Sequence, residues 1–273
     1  VAIGRVAIQG ERGSNSHMAV LELGLGTVEV VACTVSAQVM DALVGGEVDA
    51  AVLPIENSLH GSVAEHYDLL LEAPVRIERE IQLRIRHNLI AAPGVKLAEV
   101  GSVMSHPVAL SQCRRWLLAH PAMKVVPFYD TAGSVKHLME HDLRDAAGIA
   151  PALAAEEYGA EILVEGIEDH PENFTRFHLL RREADARVDA AANKLSVAFI
   201  VEHRPGTLVA ALQRLAAEGV DLTKIESRPV PGKPWEYVFY VDFRFEGAER
   251  AEAALKALDM ECRMVKELGR SRV

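Results

Sequence analysis

From Arg5 onward the chain alternates short β-rich runs with longer apolar runs at helical spacing. Val6-Ala7-Ile8 leads into a Gly-Ser turn and an apolar helix through Met18 to Leu23. Val28 to Ala32 reads as a strand, Ser36 opens a helix through Met40 and Leu43, and Ala50 to Leu53 is a buried strand. Val63 to Leu71 again places apolar residues one helical turn apart. This β-α-β-α order predicts a largely parallel sheet with helices on its faces. After Pro74 the pattern changes. Two long alternating runs over 75–91 predict strands that leave one subdomain and build another. A helix from Pro107 to Ala119, a strand at Val125-Val126, a helix from Thr131 to Glu140, a buried strand at Ala146 to Ala150 and a helix begun by Pro151 follow. The segment from Ile162 to Leu180 then returns to the first subdomain, so two crossings predict two lobes around a ligand cleft.

Residues 183–193 are rich in Ala and Asp, with Val188 the only large apolar side chain, and read as a linker. Beyond them the order is β-α-β-β-α-β, that of a ferredoxin-like fold. The 273 residues suit two or three compact units, and an apolar fraction of 49% supplies their cores. A formal charge of −10 argues against a nucleic-acid partner and requires any anion site to be locally positive. Cys33, Cys113 and Cys262 are scattered and odd in number, which fits a reduced cytoplasmic protein without disulfides. The start lacks the pattern of a secretory signal, and no apolar run is long enough to span a bilayer, so the expectation is a soluble protein without a membrane partner.

Several segments carry chemistry-bearing residues. Asn173-Phe174-Thr175-Arg176-Phe177 sets a hydroxyl and a guanidinium between aromatic anchors; its structural alternative is a Thr that satisfies local backbone. Pro54-Ile55-Glu56-Asn57-Ser58 leaves a buried strand where open α/β sheets bind ligands, although Asn57 or Ser58 can equally cap a helix. Gly10-Glu11-Arg12-Gly13-Ser14 joins a strand to a helix whose free amides can hold a carboxylate, although taken alone it suits an ordinary strand-helix turn better. Ser105-His106-Pro107 precedes a helix bearing Ser111, Gln112 and Cys113. His137 and His141 stand one turn apart with no third ligand in view, which suits a solvated helix face better than a metal site.

Taken together these segments resemble the prephenate dehydratase family of the monofunctional bacterial type, with a C-terminal ACT regulatory domain. NFTRF resembles the family's Thr-Arg-Phe motif, PIENSLHGSV its Glu-Asn-Ser segment, and SHPVALSQC a third active-site segment. HRPGTLVAAL and LTKIESRPVPGKPWEY resemble the effector-binding segments of the ACT domain. The resemblance implies an α/β fold: a two-lobed, periplasmic-binding-protein-like catalytic domain over 1–182 (lobes of about 1–74 plus 162–182, and 75–161) and a ferredoxin-like ACT domain over 194–273. It implies decarboxylative dehydration of prephenate to phenylpyruvate without cofactor or metal. Thr175 would then donate to the departing hydroxide, with Arg176 or Glu56 completing its network and Asn57, Ser105 and Gln112 positioning the substrate. Gly13, Ser14, Ser58, Asn173, Phe174 and Phe177 would line the substrate site. L-phenylalanine would bind Arg204, Pro205, Gly206, Thr207, Leu208 and Val209 together with Glu226, Ser227, Arg228 and Pro229, in a homodimer or dimer of dimers formed through the ACT domains. Glu11 and Asn15 depart from the family's first motif, and Thr207 stands where Ala is usual. Arogenate dehydratase and an amino-acid-sensing binding protein are the alternatives.

Overall fold

The computed structural model describes residues 2–230, 232–233 and 235–273, so Pro231 and Pro234 of the LTKIESRPVPGKPWEY segment lie outside it. Contacts divide the chain into two compact units, one of residues 2–62 and 81–177 and the other of 63–80 and 178–273.

In chain order the elements begin β1 (Arg5–Gln9), α1 (Asn15–Glu22), β2 (Glu29–Cys33), α2 (Ser36–Val44) and β3 (Ala50–Asn57). A two-residue β4 (Gly61–Ser62) folds back on β3 before α3 (Ala64–Glu72) and β5 (Val75–Arg84). Then come β6 (Asn88–Ala91), β7 (Ser102–Ser105), α4 (Pro107–Gln112), α5 (Arg114–Leu118), β8 (Lys124–Pro127), α6 (Thr131–Glu140), β9 (Ala146–Ala150), α7 (Ala152–Tyr158) and β10 (Glu161–Val164). Strand β11 (Phe174–Arg182) leads to β12 (Lys194–Ile200), α8 (Thr207–Ala217), β13 (Asp221–Pro229), β14 (Tyr237–Arg244), α9 (Ala248–Glu261) and β15 (Met264–Ser271).

The first unit holds two sheets. In one, β1 lies parallel between β2 and β3, and the first residues of β11 lie beside the end of β3, where Ser58 N donates to Phe174 O at 2.8 Å. The other is five-stranded in the order β10-β6-β9-β7-β8. Its central strands are buried on both faces: Leu89, Ala91 and Ile149 pack with α4 residues Ala109 and Leu110, whereas Ile90 and Ala150 pack against Ala132, Val135 and Ala154 of α6 and α7. Strand β7 is too short for periodicity to reveal, yet it carries Ser105 at its end. The helix expected over 107–119 is two helices. Gln112 O accepts from Asp169 N at 2.7 Å, and Asp169 Oδ1 accepts from Arg115 N at 2.9 Å. One residue from a distant loop thus ends α4 and caps α5, and Cys113 leaves helical geometry between them.

In the second unit the order β13-β14-β12-β15, antiparallel throughout, with α8 and α9, is the ferredoxin-like arrangement. Leu195, Val197, Phe199, Val241 and Phe243 of the sheet pack on Ala211, Leu215, Ala254 and Leu258 of the helices. Each large side chain so buried contributes about 1.5–3 kcal/mol. β15 also runs beside β5 at Gly269, where φ is +149° and any Cβ would collide with the Ile77 backbone, so only glycine serves there. Strands β5, β11, β12 and β14 meet in a buried polar cluster. Lys194 Nζ lies 2.7 Å from Glu80 Oε2 and 3.0 Å from Asp242 Oδ2, and His178 Nε2 lies 3.0 Å from Glu80 Oε2. Among the described residues no helix is long and apolar enough to cross a membrane.

Removing the cation from such a cluster leaves two buried carboxylates without its compensating charge. Lys194→Met is therefore expected to destabilise the protein by about 3–5 kcal/mol, read by chemical denaturation. A loss below about 1 kcal/mol would show that the charges are not held as this geometry has them.

Candidate active site

The end of β3 and the start of β11 place Asn57 against Asn173 and Thr175. Asn57 Nδ2 is 2.7 Å from Asn173 Oδ1, 2.9 Å from Thr175 Oγ1 and 3.1 Å from Phe174 O. Asn57 Oδ1 accepts from Leu59 N and His60 N, each at 3.0 Å, which fixes the turn that follows. Thr175 is 8% exposed; its oxygen accepts from Asn57 Nδ2, and its own hydrogen remains available to donate. Asn173 is fully buried and its Nδ2 has no partner among the described residues.

Successive strand residues face opposite ways, so Glu56 and Arg176 lie on the other face from Asn57 and Thr175. There Arg176 Nη2 pairs with Glu56 Oε2 at 3.0 Å. Ser58 Oγ accepts from Phe174 N at 3.0 Å and donates to Glu172 O at 3.2 Å, which ties the two segments together rather than offering the hydroxyl. Phe177 is 2% exposed and belongs to the core, whereas Phe174 is 40% exposed.

A second chain of side chains runs from the turn after Asn57 into α4. Ser111 Oγ lies 3.2 Å from His60 Nε2, His60 Nδ1 lies 3.1 Å from Gln112 Nε2, and Gln112 Oε1 lies 2.7 Å from His87 Nε2. Burial holds His87 below the usual histidine range, so it stays neutral. Ser105 is fully buried and donates to Ile149 O at 2.6 Å. His60 and His87 escape sequence reasoning because no spacing links them to Gln112.

The Gly10–Ser14 turn differs from expectation in its amides. Gly10 N donates to Cys33 O at 2.9 Å, Gly13 N to His17 Nδ1 at 3.0 Å and Ser14 N to Glu11 O at 3.2 Å, so none of these three is free for a carboxylate. Ser14 caps α1, and Gly13 has φ +84° with Ala154 Cα only 2.8 Å from where a Cβ would stand. Glu11 is held by Tyr129 Oη at 2.9 Å and Lys136 Nζ at 3.0 Å, and its amide donates to the Asp130 carboxylate, which burial raises above the usual range. Asn15 Oδ1 is buried without a partner among the described residues. His141 Nδ1 contacts His137 O at 2.9 Å, and no group of three or more His, Cys, Asp or Glu among the described residues is arranged to hold a metal ion.

The second unit contains a cavity of about 380 Å³ lined by Val201, Glu202, residues 203–209, Glu236, Tyr237 and Phe239. It thus gathers Arg204, Pro205, Gly206, Thr207, Leu208 and Val209. Gly206 caps α8 at φ +87°, and the Thr207 hydroxyl faces its own loop, 2.6 Å from Glu202 O and 2.9 Å from Arg204 O, so it is directed at backbone. Glu226, Ser227, Arg228 and Pro229 do not line this cavity in the single chain. They lie on β13, where Arg228 forms a two-pronged pair with Asp68 at 2.9 and 2.5 Å.

Residues 6–185 match the family model for prephenate dehydratase and residues 195–259 that for the ACT domain. A chloroplastic arogenate dehydratase/prephenate dehydratase of Arabidopsis thaliana is 38% identical across 97% of this chain and 72% of its own length. A prephenate dehydratase from Arthrobacter aurescens solved with L-Phe superposes with TM-score 0.89 at 32% identity, over 98% of this chain and 90% of that one. A structure described as a quorum-quenching acylase, GqqA, superposes with TM-score 0.88 at 31% identity, over 98% of both chains.

Burial also lowers His17, so both it and His87 stay neutral in the fold while the unfolded chain takes up protons. Stability is then complete above about pH 6.5 and falls as pH drops below that value, where the unfolded state binds more protons. The melting temperature is expected to fall between about pH 7 and 5.5, and His87→Gln to shallow that fall. An unchanged slope would place the proton uptake elsewhere.

Proposed function

Because the chain belongs to the prephenate dehydratase family and carries an ACT domain, we propose that it converts prephenate to phenylpyruvate and is regulated by phenylalanine. The observation that carries the catalytic reading is the hydroxyl of Thr175, whose oxygen accepts from Asn57 and whose hydrogen is available. In the reaction the bond to the ring carboxylate breaks, its electron pair enters the ring, and the ring C–O bond releases hydroxide. Aromatisation drives the change; the poor leaving group sets the barrier. A donor at the departing oxygen acts on charge that develops only in the transition state. Thr175 is a weak acid, so its part is that of a hydrogen-bond donor or relay. The second N–H of Gln112, beyond the one that meets His60, supplies a neutral donor for the substrate's oxygens. Glu56 and Arg176, paired with each other, support β3 and β11 at this point.

Arogenate carries an ammonium in place of the keto group, and the similarity to the Arabidopsis protein keeps arogenate dehydratase as the second reading. An acylase would need a base to activate its nucleophile, whereas Thr175 has a carboxamide beside it. The decisive assay follows phenylpyruvate from purified protein. Prephenate is expected to give the higher kcat/KM, and Thr175→Ala to lower kcat by about 10²–10⁴ with little change in KM. Equal efficiency with arogenate moves the assignment to that substrate, and a variant keeping a third of the activity removes Thr175 from its role.

For regulation, the 380 Å³ cavity is of a size for one amino acid. The exposed apolar residues Val209, Leu222, Ile225 and Tyr237 of the same unit suit a surface shared by two copies, as a homodimer or dimer of dimers. Three free cysteines suit a reducing, cytoplasmic setting. Millimolar phenylalanine is expected to inhibit the full chain, and Leu208→Ala to weaken that inhibition about tenfold while kcat stays unchanged. Indifference of the unaltered enzyme to phenylalanine contradicts this assignment.

A further inference from the structure

We infer that His60 is a positioning residue of the active site: its Nδ1 takes one N–H of Gln112 and so fixes which way that amide faces. The kinetic test rests on the function proposed above, whereas the geometry stands apart from it.

The hydrogens along the chain can be assigned from one end. His87 Nδ1 is buried without a partner among the described residues, so it carries the lone pair and Nε2 carries the proton. That N–H meets Gln112 Oε1 at 2.7 Å, which turns the Gln112 NH₂ toward His60 Nδ1, 3.1 Å away. His60 Nδ1 is then the acceptor, its proton sits on Nε2, and that proton faces Ser111 Oγ at 3.2 Å. Ser111 passes its own hydrogen to Val108 O at 2.7 Å. Flipping the Gln112 amide would demand a bare Nε2 on His87 and leave an N–H at Nδ1 buried and unmet.

The backbone of His60 is anchored by the residue that sets Thr175. Asn57 Oδ1 accepts from His60 N at 3.0 Å, and Asn57 Nδ2 donates to Thr175 Oγ1 at 2.9 Å. One carboxamide therefore orients the hydroxyl directly and the Gln112 amide through His60. With its oxygen held by His87, Gln112 presents donors and not an acceptor, which suits an anionic substrate. The side chains that meet His60 are Ser111 and Gln112 of α4 and Asn57 of its own turn, none of them charged. A protonated imidazole would set an N–H at Nδ1 against the Gln112 NH₂ and break the link.

The test compares His60→Ala and His60→Asn in the full chain with prephenate. Asn keeps an acceptor oxygen near the place of Nδ1. His60→Ala is expected to lower kcat/KM about tenfold, and His60→Asn to stay within about threefold of the unaltered enzyme. Unchanged kinetics in His60→Ala, or a loss in His60→Asn as large as in His60→Ala, overturns the inference. Nitrogen-15 spectra of the imidazoles give a readout without turnover, with the Nε2–H tautomer expected for His60. Should the unaltered protein fail to act on prephenate, the proposed function falls and this spectrum decides alone: an Nδ1–H tautomer overturns the inference.

Discussion

The carboxamide of Asn57 holds together two strand ends that lie far apart in sequence. Its nitrogen reaches Asn173, Phe174 O and Thr175, and its oxygen takes the amides of Leu59 and His60. Both ends of a planar group are therefore committed, and the turn after β3 cannot move without moving the start of β11. Removing it would leave Asn173, already fully buried, with a second unmet polar atom, a cost of about 1–3 kcal/mol. The same contact leaves the Thr175 hydroxyl as a donor. Structural support and chemistry thus depend on one side chain.

Strand β11 extends this dependence along the chain. Thr175 lies near its start, and His178, three residues on, is buried against Glu80 in the cluster that also takes Lys194 and Asp242. Lys194 opens β12, the first strand of the ferredoxin-like unit. Asp68, on the helix that follows the Asn57 turn, holds Arg228 of β13 in the same unit.

Much of this was legible in the sequence because it follows from local pattern. The alternation from Arg5 to Leu53, the helix at Thr131–Glu140 and the βαββαβ order after the linker each rest on periodicity within one element. Asn57 and Thr175 stood out by the residues around them. What escaped is tertiary. The break at Cys113 comes from Asp169, a residue no local pattern connects to α4. The chain from His60 through Gln112 to His87 joins three segments by side chains alone. The Gly10–Ser14 turn looked open to a carboxylate because sequence cannot show that Cys33, His17 and Glu11 already take its amides. Likewise the pairing of Arg228 with Asp68 joins residues that no local pattern connects.

The central claim is that Thr175 donates a hydrogen bond to the oxygen that leaves. A crystal structure with an unreactive prephenate analogue that retains the ring hydroxyl tests it most directly. The account predicts Thr175 Oγ1 at about 2.8 Å from that hydroxyl, with Asn57 Nδ2 still on the far side of the threonine oxygen. A ring hydroxyl bonded elsewhere, with Thr175 beyond about 4 Å, would contradict it.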